Sequence, residues 1–549
     1  MVAGGRGRPG GAAGPDPGPA VADGGDGVRQ TGEWTPVPAA PPFVAAPVVP
    51  AAALASASAG AALDPWGPPG SARARRVAVL GVAVLAGLLY AVVSVLRHHQ
   101  FKTTIDITIF QQAVANYAQL RAPLVLVKSQ DPFWILGDHF SPVMALIAPL
   151  YRVWPSVVTL LLVQAALLAV AVWAVTGLAV RLLGGLGFAV GGAFALSWGM
   201  LKVVDFDVHE VGFTVAFLAL ACVALVEGRP RALMLWSAAL LLTKEDSGLL
   251  VAGLGLALLV WGSRRLGVAL VVAGGLAVLF TVGVLIPAFS YTGTWTYASN
   301  IGGDPSLVGT GLAMAGTVVR HLTEPRGWAL LAALAATASL GLRSPVILVL
   351  LPTLAARFAS SREVYLEMTF YYDAPLMVVC FVALAVAVRD RRLRRGTTAG
   401  QSRAWWSSAA GLATAAVCLL AVDVGVHTTE WPRTLAQSDQ ECPWCDDAHR
   451  LIDAVPDGER LIADVGLLGN AADRHPVLMA NPEWEDSTHL PLRADWVILY
   501  RDSDQFGAGW ARERERDLLA GGYAVVDTGS DLVLLHRPTT AGGAPGPRP

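Results

Sequence analysis

The sequence contains little charge. Only 15% of its 549 residues are Asp, Glu, Lys or Arg, whereas a soluble domain contains about 25%. Hydrophobic residues make up 54%, so a soluble globule would lack the polar surface needed to cover itself. The net charge of −2 indicates neither an acidic nor a basic partner. These shortages exclude an ordinary cytosolic enzyme, a nucleic-acid-binding protein and a wholly disordered chain, and they favour a polytopic membrane protein.

Nucleotide-binding loops are also missing from the sequence. It contains neither the G-x-x-x-x-G-K-[ST] pattern nor a strand-framed G-x-G-x-x-G pattern. Residues 1–70 are dominated by Gly, Ala and Pro and show no hydrophobic periodicity. This composition predicts a disordered tail, and residues 538–549 are predicted to form a second one.

The region 71–423 is a series of apolar runs separated by polar segments. A helix that crosses a bilayer needs about 20 residues, and shorter runs suffice where flanking side chains reach the interface. The run Pro142–Trp154 is interrupted by Pro149 and Arg152, which predicts a helix lying at the interface. Eleven runs are predicted to span the membrane: Val77–Leu96, Val157–Val180, Leu182–Leu201, Val211–Val226, Ala232–Thr243, Ser247–Ser263, Leu266–Pro287, Gly327–Leu342, Ser344–Ala356, Ala374–Val388 and Ala404–Val422.

Arginine residues distinguish the two sides of the predicted spans. Arg73, Arg75 and Arg76 precede the first run, and with eleven spans every later arginine cluster between spans falls on that same side. Because cytoplasmic loops carry an excess of Lys and Arg, we expect a plasma-membrane protein with a cytoplasmic N-terminus and an extracytoplasmic C-terminus. The predicted outer loops are 97–156, 202–210, 244–247, 290–326 and 358–373.

The segment 424–537 is richer in charge and contains short strand-like and helix-like runs, which predict an extracytoplasmic α/β domain. Cys442 and Cys445 form a C-x-x-C pair within it. We expect a disulfide there, because the segment is predicted to face an oxidising compartment. A zinc site would need a second pair of ligands, and a thioredoxin-like redox pair would follow a strand.

Polar side chains are concentrated in the predicted outer loops. Asp205, Asp207, His209 and Glu210 lie within six residues, between two apolar runs. Ionisable groups at membrane depth need a partner or a function. The cluster has three possible uses, namely holding a divalent cation, binding a cationic group or supplying a general base. The alternative is a solvated loop whose carboxylates pair with neighbouring cations.

Lys244, Glu245 and Asp246 lie between two short apolar runs. One interpretation is that the ammonium group of Lys244 attracts a phosphate as a point charge. The other is a salt bridge from Lys244 to Asp205 or Asp207 that holds two helical hairpins together. The spacing alone leaves both open.

Asp106 and Asp138 each precede a predicted interface helix. Phe110, Val114 and Tyr117 follow Asp106 at helical spacing and predict an amphipathic helix. An Asp in this position is either an N-cap or a base aimed at an acceptor hydroxyl. Asp138 with His139 is likewise either a helix cap or part of a substrate or metal site.

Several of these strings resemble the bacterial membrane family labelled domain of unknown function 2079, and the similarity covers about residues 77–500. In the opening motif of this chain, Gln111 or Gln112 replaces the second acidic residue of the family. The similar strings are Ile105-Asp106-Ile107, Asp138-His139-Phe140-Ser141-Pro142, Phe206-Asp207-Val208-His209-Glu210, Lys244-Glu245-Asp246-Ser247-Gly248 and Tyr371-Tyr372-Asp373-Ala374-Pro375.

That family resembles the GT-C membrane glycosyltransferases. The resemblance implies an all-α polytopic fold, an active site on the outer face and a polyprenyl-phosphate-linked sugar as donor. Asp106 is the implied base, and Asp207, His209 and Glu210 are further catalytic candidates and the candidates for an optional divalent metal. The candidates for substrate binding are Asp138, His139, Asp205, Lys244, Glu245, Asp246, Arg362 and Tyr372.

Two other functions stay open alongside the glycosyltransferase. A transporter would place polar residues inside its spans and show inverted repeats, whereas the charges here lie at span ends and no repeat is visible. A non-catalytic scaffold would use the C-terminal domain to recruit partners. In each case we expect contacts with membrane lipids.

Overall fold

The computed structural model describes residues 71–129, 131–301, 307–394, 409–437, 442, 444–481, 494–503 and 506–538. The predicted disordered segment 1–70 and all but the first residue of 538–549 lie outside these ranges.

The described chain is mainly helical. Its α-helices are α1 (Ser71–His99), α2 (Ile105–Ala118), α3 (Ala148–Val153), α4 (Val157–Leu183), α5 (Leu186–Ala195), α6 (Trp198–Asp205), α7 (Val211–Val226), α8 (Pro230–Leu240), α9 (Ser247–Val260), α10 (Arg264–Phe280), α11 (Ile286–Phe289), α12 (Leu307–Thr323), α13 (Pro325–Ala338), α14 (Leu351–Ala359), α15 (Ala374–Arg394), α16 (Ala409–Thr428), α17 (Trp431–Ala436), α18 (Cys445–Asp453), α19 (Val465–Ala471) and α20 (Trp510–Ala520).

Five helical segments are long and apolar enough to cross a membrane within the described ranges. They are Ala72–His99, Val157–Leu183, Leu186–Asp205, Arg264–Phe289 and Tyr371–Arg394. Shorter apolar helices of 10–17 residues lie between them, among them Val211–Val226 and Ser247–Val260. The polytopic helical fold is therefore confirmed, while the total of eleven spans stays a prediction.

Local sequence signals explain the ends of the longest helices. α4 begins after Ser156, whose hydroxyl accepts the N–H of Val158, and it ends at Gly184, whose φ of 66° suits glycine. The predicted interface helix Pro142–Trp154 forms two parts, a 3-10 helix over Pro142–Ile147 followed by α3. The predicted outer loop 290–326 contains α12, a helix that was not predicted from the sequence.

α15 lies at the centre of the helical region. Its residues from Ala374 to Val386 are all buried, because a helix that is apolar on every side needs neighbours all round. It packs against α4, α7 and the 3-10 helix Ser339–Arg343. The helix was predicted as Ala374–Val388 and extends one and a half turns further, through its arginines.

α9 and α10 approach each other closely through glycine. A Cβ atom added at Gly274 would collide with the backbone oxygen of Gly248, so only glycine allows this spacing. We expect Gly274→Leu to destabilise the protein by about 1–3 kcal/mol, measured as thermal unfolding in detergent. Gly275→Leu is the matched control, because nothing lies within 4 Å of a Cβ atom there. Equal melting temperatures for the two variants would contradict this packing.

The C-terminal region contains a five-stranded sheet in the order β4-β3-β5-β7-β6. Its strands are β3 (Leu461–Ala463), β4 (Val477–Met479), β5 (Trp496–Tyr500), β6 (Ala524–Gly529) and β7 (Leu532–His536). β3 is parallel to β4 and β5, whereas β7 is antiparallel to β5 and β6. β4 was not predicted because the apolar run that contains it is only four residues long. Cys442 and Cys445 form a disulfide just before α18.

The C-terminal region and the segment 97–156 share one hydrophobic core. Ile107 and Phe110 of α2 belong to the same buried cluster as Leu461 and Ala463 of β3. The segment 97–156 also contains a two-stranded ribbon, β1 (Leu124–Val125) with β2 (Phe133–Trp134). The N–H of Met479 donates to the carbonyl of Val127 at 3.0 Å. These two parts therefore lie on the same side of the helical region.

Candidate functional site

The connection between α6 and α7 carries three predicted site residues, Asp207, His209 and Glu210, and a glutamine from α4 holds it in place. Gln164 is buried within α4. Its amide nitrogen donates to the carbonyls of Asp207 and Val203, and its amide oxygen accepts the N–H of His209 at 2.9 Å. Asp207 has a φ of 58°, which is uncommon for a residue with a side chain. The connection is therefore fixed in one strained conformation.

Asp207 and Asp205 face away from the other candidates. The Asp207 carboxylate accepts the N–H of Thr104 at 2.6 Å and lies 4.0 Å from Arg97. Complete burial raises the pKa of Asp207 to about 7, although Arg97 acts in the opposite direction. Asp205 pairs with Lys202 at 3.3 Å and with Arg97 at 3.8 Å. Through Arg97, both carboxylates thus connect α1 to the C-terminal end of α6 and the residues that follow it.

Asp106 pairs with His209. Nε2 of His209 lies 3.2 Å from Oδ2 of Asp106, and the imidazole packs on Tyr371 with ring centroids 4.0 Å apart. Asp106 is the second residue of α2, and Thr104 occupies the N-cap position, so the N-cap interpretation of Asp106 is wrong. The Asp106 side chain is 34% exposed, whereas that of His209 is 3% exposed. One face of the carboxylate is therefore open to a reactant.

Two opposing effects set the pKa of Asp106. Burial alone would raise it, but His209 has the largest opposing effect and Lys128 and His139 add to it. The pKa of Asp106 therefore lies below its ordinary value. The carboxylate is ionised near neutral pH and available to accept a proton.

Lys244 forms an ion pair with Glu210. Its Nζ lies 2.8 Å from Oε1 of Glu210 and 5.9 Å from the ring centre of Tyr371. The predicted salt bridge from Lys244 to Asp205 or Asp207 is therefore wrong. Burial would lower the pKa of Lys244, but Glu210 together with Tyr371, Glu245 and Asp246 outweighs burial and the pKa is raised. Burial would likewise raise the pKa of Glu210, but Lys244 together with His209 and His139 lowers it.

A second polar group surrounds His139. Nδ1 of His139 lies 3.4 Å from Oε1 of Glu245, and the hydroxyl of Tyr297 lies 3.2 Å from both Nε2 of His139 and Oδ1 of Asp138. Asp138 also pairs with Lys128 at 2.7 Å. Asp138 does not cap the next helix, because Ser141 occupies that N-cap position.

A cavity of about 460 Å³ lies between some of these polar groups and an apolar wall, and Asp106, His209 and Glu210 are not among its lining residues. Lys244, Glu245, Asp246 and Tyr372 are among its lining residues. Its apolar wall includes residues of α9, α10 and the π-helical segment Thr281–Leu285. Leu279 lines the cavity and is also 70% exposed on α10. The cavity thus reaches from charged side chains to the apolar surface of a helix long enough to cross a membrane.

Further lining residues escaped the sequence prediction. Trp295, Tyr297, Tyr365 and Arg357 line the cavity. The aromatic residues lie in the predicted outer loops 290–326 and 358–373. Their clustering next to apolar runs was the sequence feature that could have indicated a binding site. Arg357 directly follows the predicted span Ser344–Ala356 and pairs with the carboxylate of Asp373 at 2.6 Å.

Arg362 stands beside the cavity and faces aromatic rings. Its guanidinium lies 5.6 Å from the ring centres of Tyr297 and of Tyr365, both of which line the cavity. Among the residues that the structure describes, no carboxylate lies within ion-pair distance of Arg362. A cation whose partners are aromatic rings can still attract an anionic ligand.

The residues proposed for a metal do not fit one. Asp207, His209 and Glu210 engage three different partners, namely Thr104, Asp106 and Lys244. In the described part of the chain, no group of three His, Cys, Asp or Glu side chains could hold a metal ion. The geometry at these residues is that of ion pairs and hydrogen bonds.

The profile of the predicted membrane proteins DUF2079 matches residues 97–534. The chain belongs to this family. The resemblance inferred from the sequence motifs is thereby confirmed. No curated protein matches this DUF2079 chain.

Solved structures resemble this DUF2079 protein at low identity. ArnT from Cupriavidus metallidurans bound to undecaprenyl phosphate is 14% identical with a TM-score of 0.47, covering 85% of this chain and 99% of ArnT. ArnT in the apo state is 13% identical with a TM-score of 0.43, covering 83% and 98% of the two chains. Arabinofuranosyltransferase AftD from Mycobacteria is 14% identical with a TM-score of 0.44, covering 82% of this chain but only 40% of AftD.

Proposed function

We propose that this DUF2079 protein transfers a sugar from a polyprenyl-phosphate donor to an acceptor hydroxyl at the outer face of the plasma membrane. One observation carries the proposal: a single cavity joins the charged side chains of Lys244, Glu245 and Asp246 to the apolar surface of a membrane-length helix. A lipid-linked donor has the same two parts, since its tail stays in the bilayer and its charged head lies at the surface.

The cavity accommodates the two ends of such a donor differently. The polyprenyl tail lies along the apolar wall formed with α10, where Leu279 and Gly283 are exposed. The phosphate lies near Arg362, which faces the aromatic lining, and near Lys244, which lines the cavity, whereas the other lining cation, Arg357, is paired with Asp373 at 2.6 Å. Arg362 is the stronger candidate, since the charge of Lys244 is already opposed by Glu210.

Sugar transfer then proceeds as a displacement at the anomeric carbon. Asp106 takes the proton from the acceptor hydroxyl while the hydroxyl oxygen forms its bond to the anomeric carbon. The bond between the anomeric carbon and the phosphate oxygen breaks, and its electrons leave with the polyprenyl phosphate. Arg362 and Lys244 stabilise the negative charge on this leaving group. His209 contacts Asp106 and acts as a positioning residue.

The proposed topology places the site outside the cell. The positive-inside pattern predicts that the N-terminus is cytoplasmic and that residues 424–537 are extracytoplasmic. The shared core of the segment 97–156 and the C-terminal region supports a common side for the two. Labelling a single cysteine introduced at exposed Asp517 with a membrane-impermeant maleimide in intact cells tests this orientation. Labelling only after the membrane is permeabilised would overturn it.

Removing the imidazole of His209 changes the pH dependence of the proposed transfer. His209 has the largest effect lowering the pKa of Asp106, so His209→Gln raises that pKa. Because a base works only when ionised, the acidic limb of the rate–pH profile shifts to higher pH. Sugar transfer by membrane vesicles, measured across a pH series, detects this shift. His427→Gln, at an exposed position, is expected to leave the profile unchanged.

The proposed function predicts a defined change in cells that lack the gene. We expect one polyprenyl-phosphate sugar to accumulate and one envelope glycan or glycolipid to lose a sugar. Mass spectrometry of lipid-linked sugars and envelope glycans in deletion and complemented cells measures both. Unchanged glycans, combined with flux of a solute through proteoliposomes containing the purified protein, would favour the transporter instead.

A further inference from the structure

Three polar atoms in residues that line the cavity are buried without a hydrogen-bond partner. They are Oε2 of Glu245, Nε1 of Trp295 and Oγ1 of Thr353. Buried polar groups in native proteins are almost always paired, so each exception calls for an explanation. Three exceptions in the wall of one cavity indicate a ligand that supplies the missing partners.

Glu245 is the most constrained of the three. It is 7% exposed, and its Oε1 already lies 3.4 Å from Nδ1 of His139. Burial would raise the pKa of Glu245, but its hydrogen bond to His139 and the charges of His139 and Lys244 together outweigh burial, and the pKa is lowered. The carboxylate is therefore ionised and its second oxygen can only accept a hydrogen bond.

The other two groups require complementary partners. The indole N–H of Trp295 can only donate, whereas the hydroxyl of Thr353 donates or accepts. One ligand that satisfies all three must carry both donors and acceptors at short spacing. Hydroxyl groups on a sugar ring meet this requirement, and a phosphate meets it poorly because the Glu245 carboxylate would repel it.

Aromatic rings complete the surroundings expected for a sugar. Tyr297, Tyr365 and Tyr372 line the same cavity. Binding sites commonly combine such aromatic walls with a few placed polar groups that fix the orientation of the ligand. Because the three unpaired atoms are covered from water, binding requires a change of side-chain rotamer at Trp295 or Glu245.

We propose that Glu245, Trp295 and Thr353 form the sugar-recognition subsite of the cavity, in which ring hydroxyls donate to Glu245 and accept from Trp295. This inference rests on the proposed function and specifies what the cavity recognises beyond a lipid phosphate. The ring belongs either to the lipid-linked donor or to the acceptor, and the two sources share this chemistry.

Equilibrium binding to the purified full-length protein in detergent tests the subsite. The probes are farnesyl phosphate, its phosphodiesters with mannose, glucose and arabinose, and the corresponding methyl glycosides. We expect at least one glycosylated lipid to bind at least 10-fold more tightly than farnesyl phosphate if the ring is the donor's. If the ring belongs to the acceptor, a methyl glycoside binds, and the glycosylated lipids bind no more tightly than farnesyl phosphate.

Three substitutions remove the proposed contacts with little change of shape: Glu245→Gln, Trp295→Phe and Thr353→Val. Each should abolish most of the preference for the sugar and leave the Kd of farnesyl phosphate within 2-fold. Glu363→Gln and Trp328→Phe are matched controls at exposed positions outside the cavity and should keep the preference.

The outcomes separate the subsite from the proposed function. If farnesyl phosphate binds but no glycosylated lipid or glycoside shows a dependence on these three residues, the sugar subsite is overturned and lipid-phosphate binding stands. If neither farnesyl phosphate nor its glycosylated forms bind, the proposed function itself fails.

Discussion

Asp106→Asn should reduce sugar transfer by at least about 100-fold while the protein still folds and inserts, which is the usual effect of losing a general base. The amide has the shape of the carboxylate and can still contact Nε2 of His209. It cannot take a proton from the acceptor hydroxyl. Because Asp106 is partly exposed at the start of α2 and the amide oxygen keeps a hydrogen-bond contact with His209, stability should change little.

Membrane vesicles supplied with the polyprenyl-phosphate sugar that accumulates in deletion cells provide the assay. Asp207→Asn is the matched control. Asp207 was also a catalytic candidate from the sequence, but its carboxylate accepts the N–H of Thr104. The amide oxygen of an asparagine can preserve this contact. We expect this control to retain transfer within about 10-fold. Normal transfer by Asp106→Asn would remove Asp106 as the base, and equal losses in both variants would point to a structural defect.

The site could be predicted from sequence only in part. Asp106, His209, Glu210 and Lys244 were all selected because ionisable groups beside apolar runs need partners or a function. The structure pairs Asp106 with His209 and Glu210 with Lys244. The partners could not be derived, because pairing depends on how α2, α7 and α9 meet. Spacing along the chain gives no information about that geometry.

Asp207 shows a different limit of sequence reasoning. Within the motif Asp-Phe-Asp-Val-His-Glu it is indistinguishable from a catalytic acid. Its left-handed backbone, fixed by Gln164 from a helix 43 residues earlier in the chain, turns its carboxylate toward Thr104 and Arg97. Gln164 itself gave no signal, because one amide in a long apolar run neither breaks the span nor suggests a site.

The fold was easier to predict than its details. Long apolar runs became helices because a backbone in lipid must pair its own polar groups. β5 forms at Trp496–Tyr500, as its β-branched and aromatic composition predicts, and β7 forms at the short apolar run Leu532–His536. β4 was missed because only three residues pair with β3.

The ion pair between Lys244 and Glu210 should give the largest effect on stability. The Glu210 side chain is 2% exposed and that of Lys244 is 16% exposed. Removing one partner leaves a charge buried without compensation, which costs about 3–5 kcal/mol, whereas replacing both by apolar residues of similar volume is often neutral. We therefore expect Lys244→Met to lower the free energy of unfolding by about 3–5 kcal/mol.

The double variant Lys244→Met with Glu210→Met should recover most of that loss, because no charge remains to be buried. Unfolding in detergent, followed by circular dichroism, compares the two variants. Arg512→Met is the control, since its exposed pair with Asp502 should contribute less than about 1 kcal/mol. If the single and double variants are equally unstable, packing rather than charge explains the loss. If the double variant is stable but no longer transfers sugar, Lys244 or Glu210 serves the reaction, because the structural contribution of the pair has then been replaced.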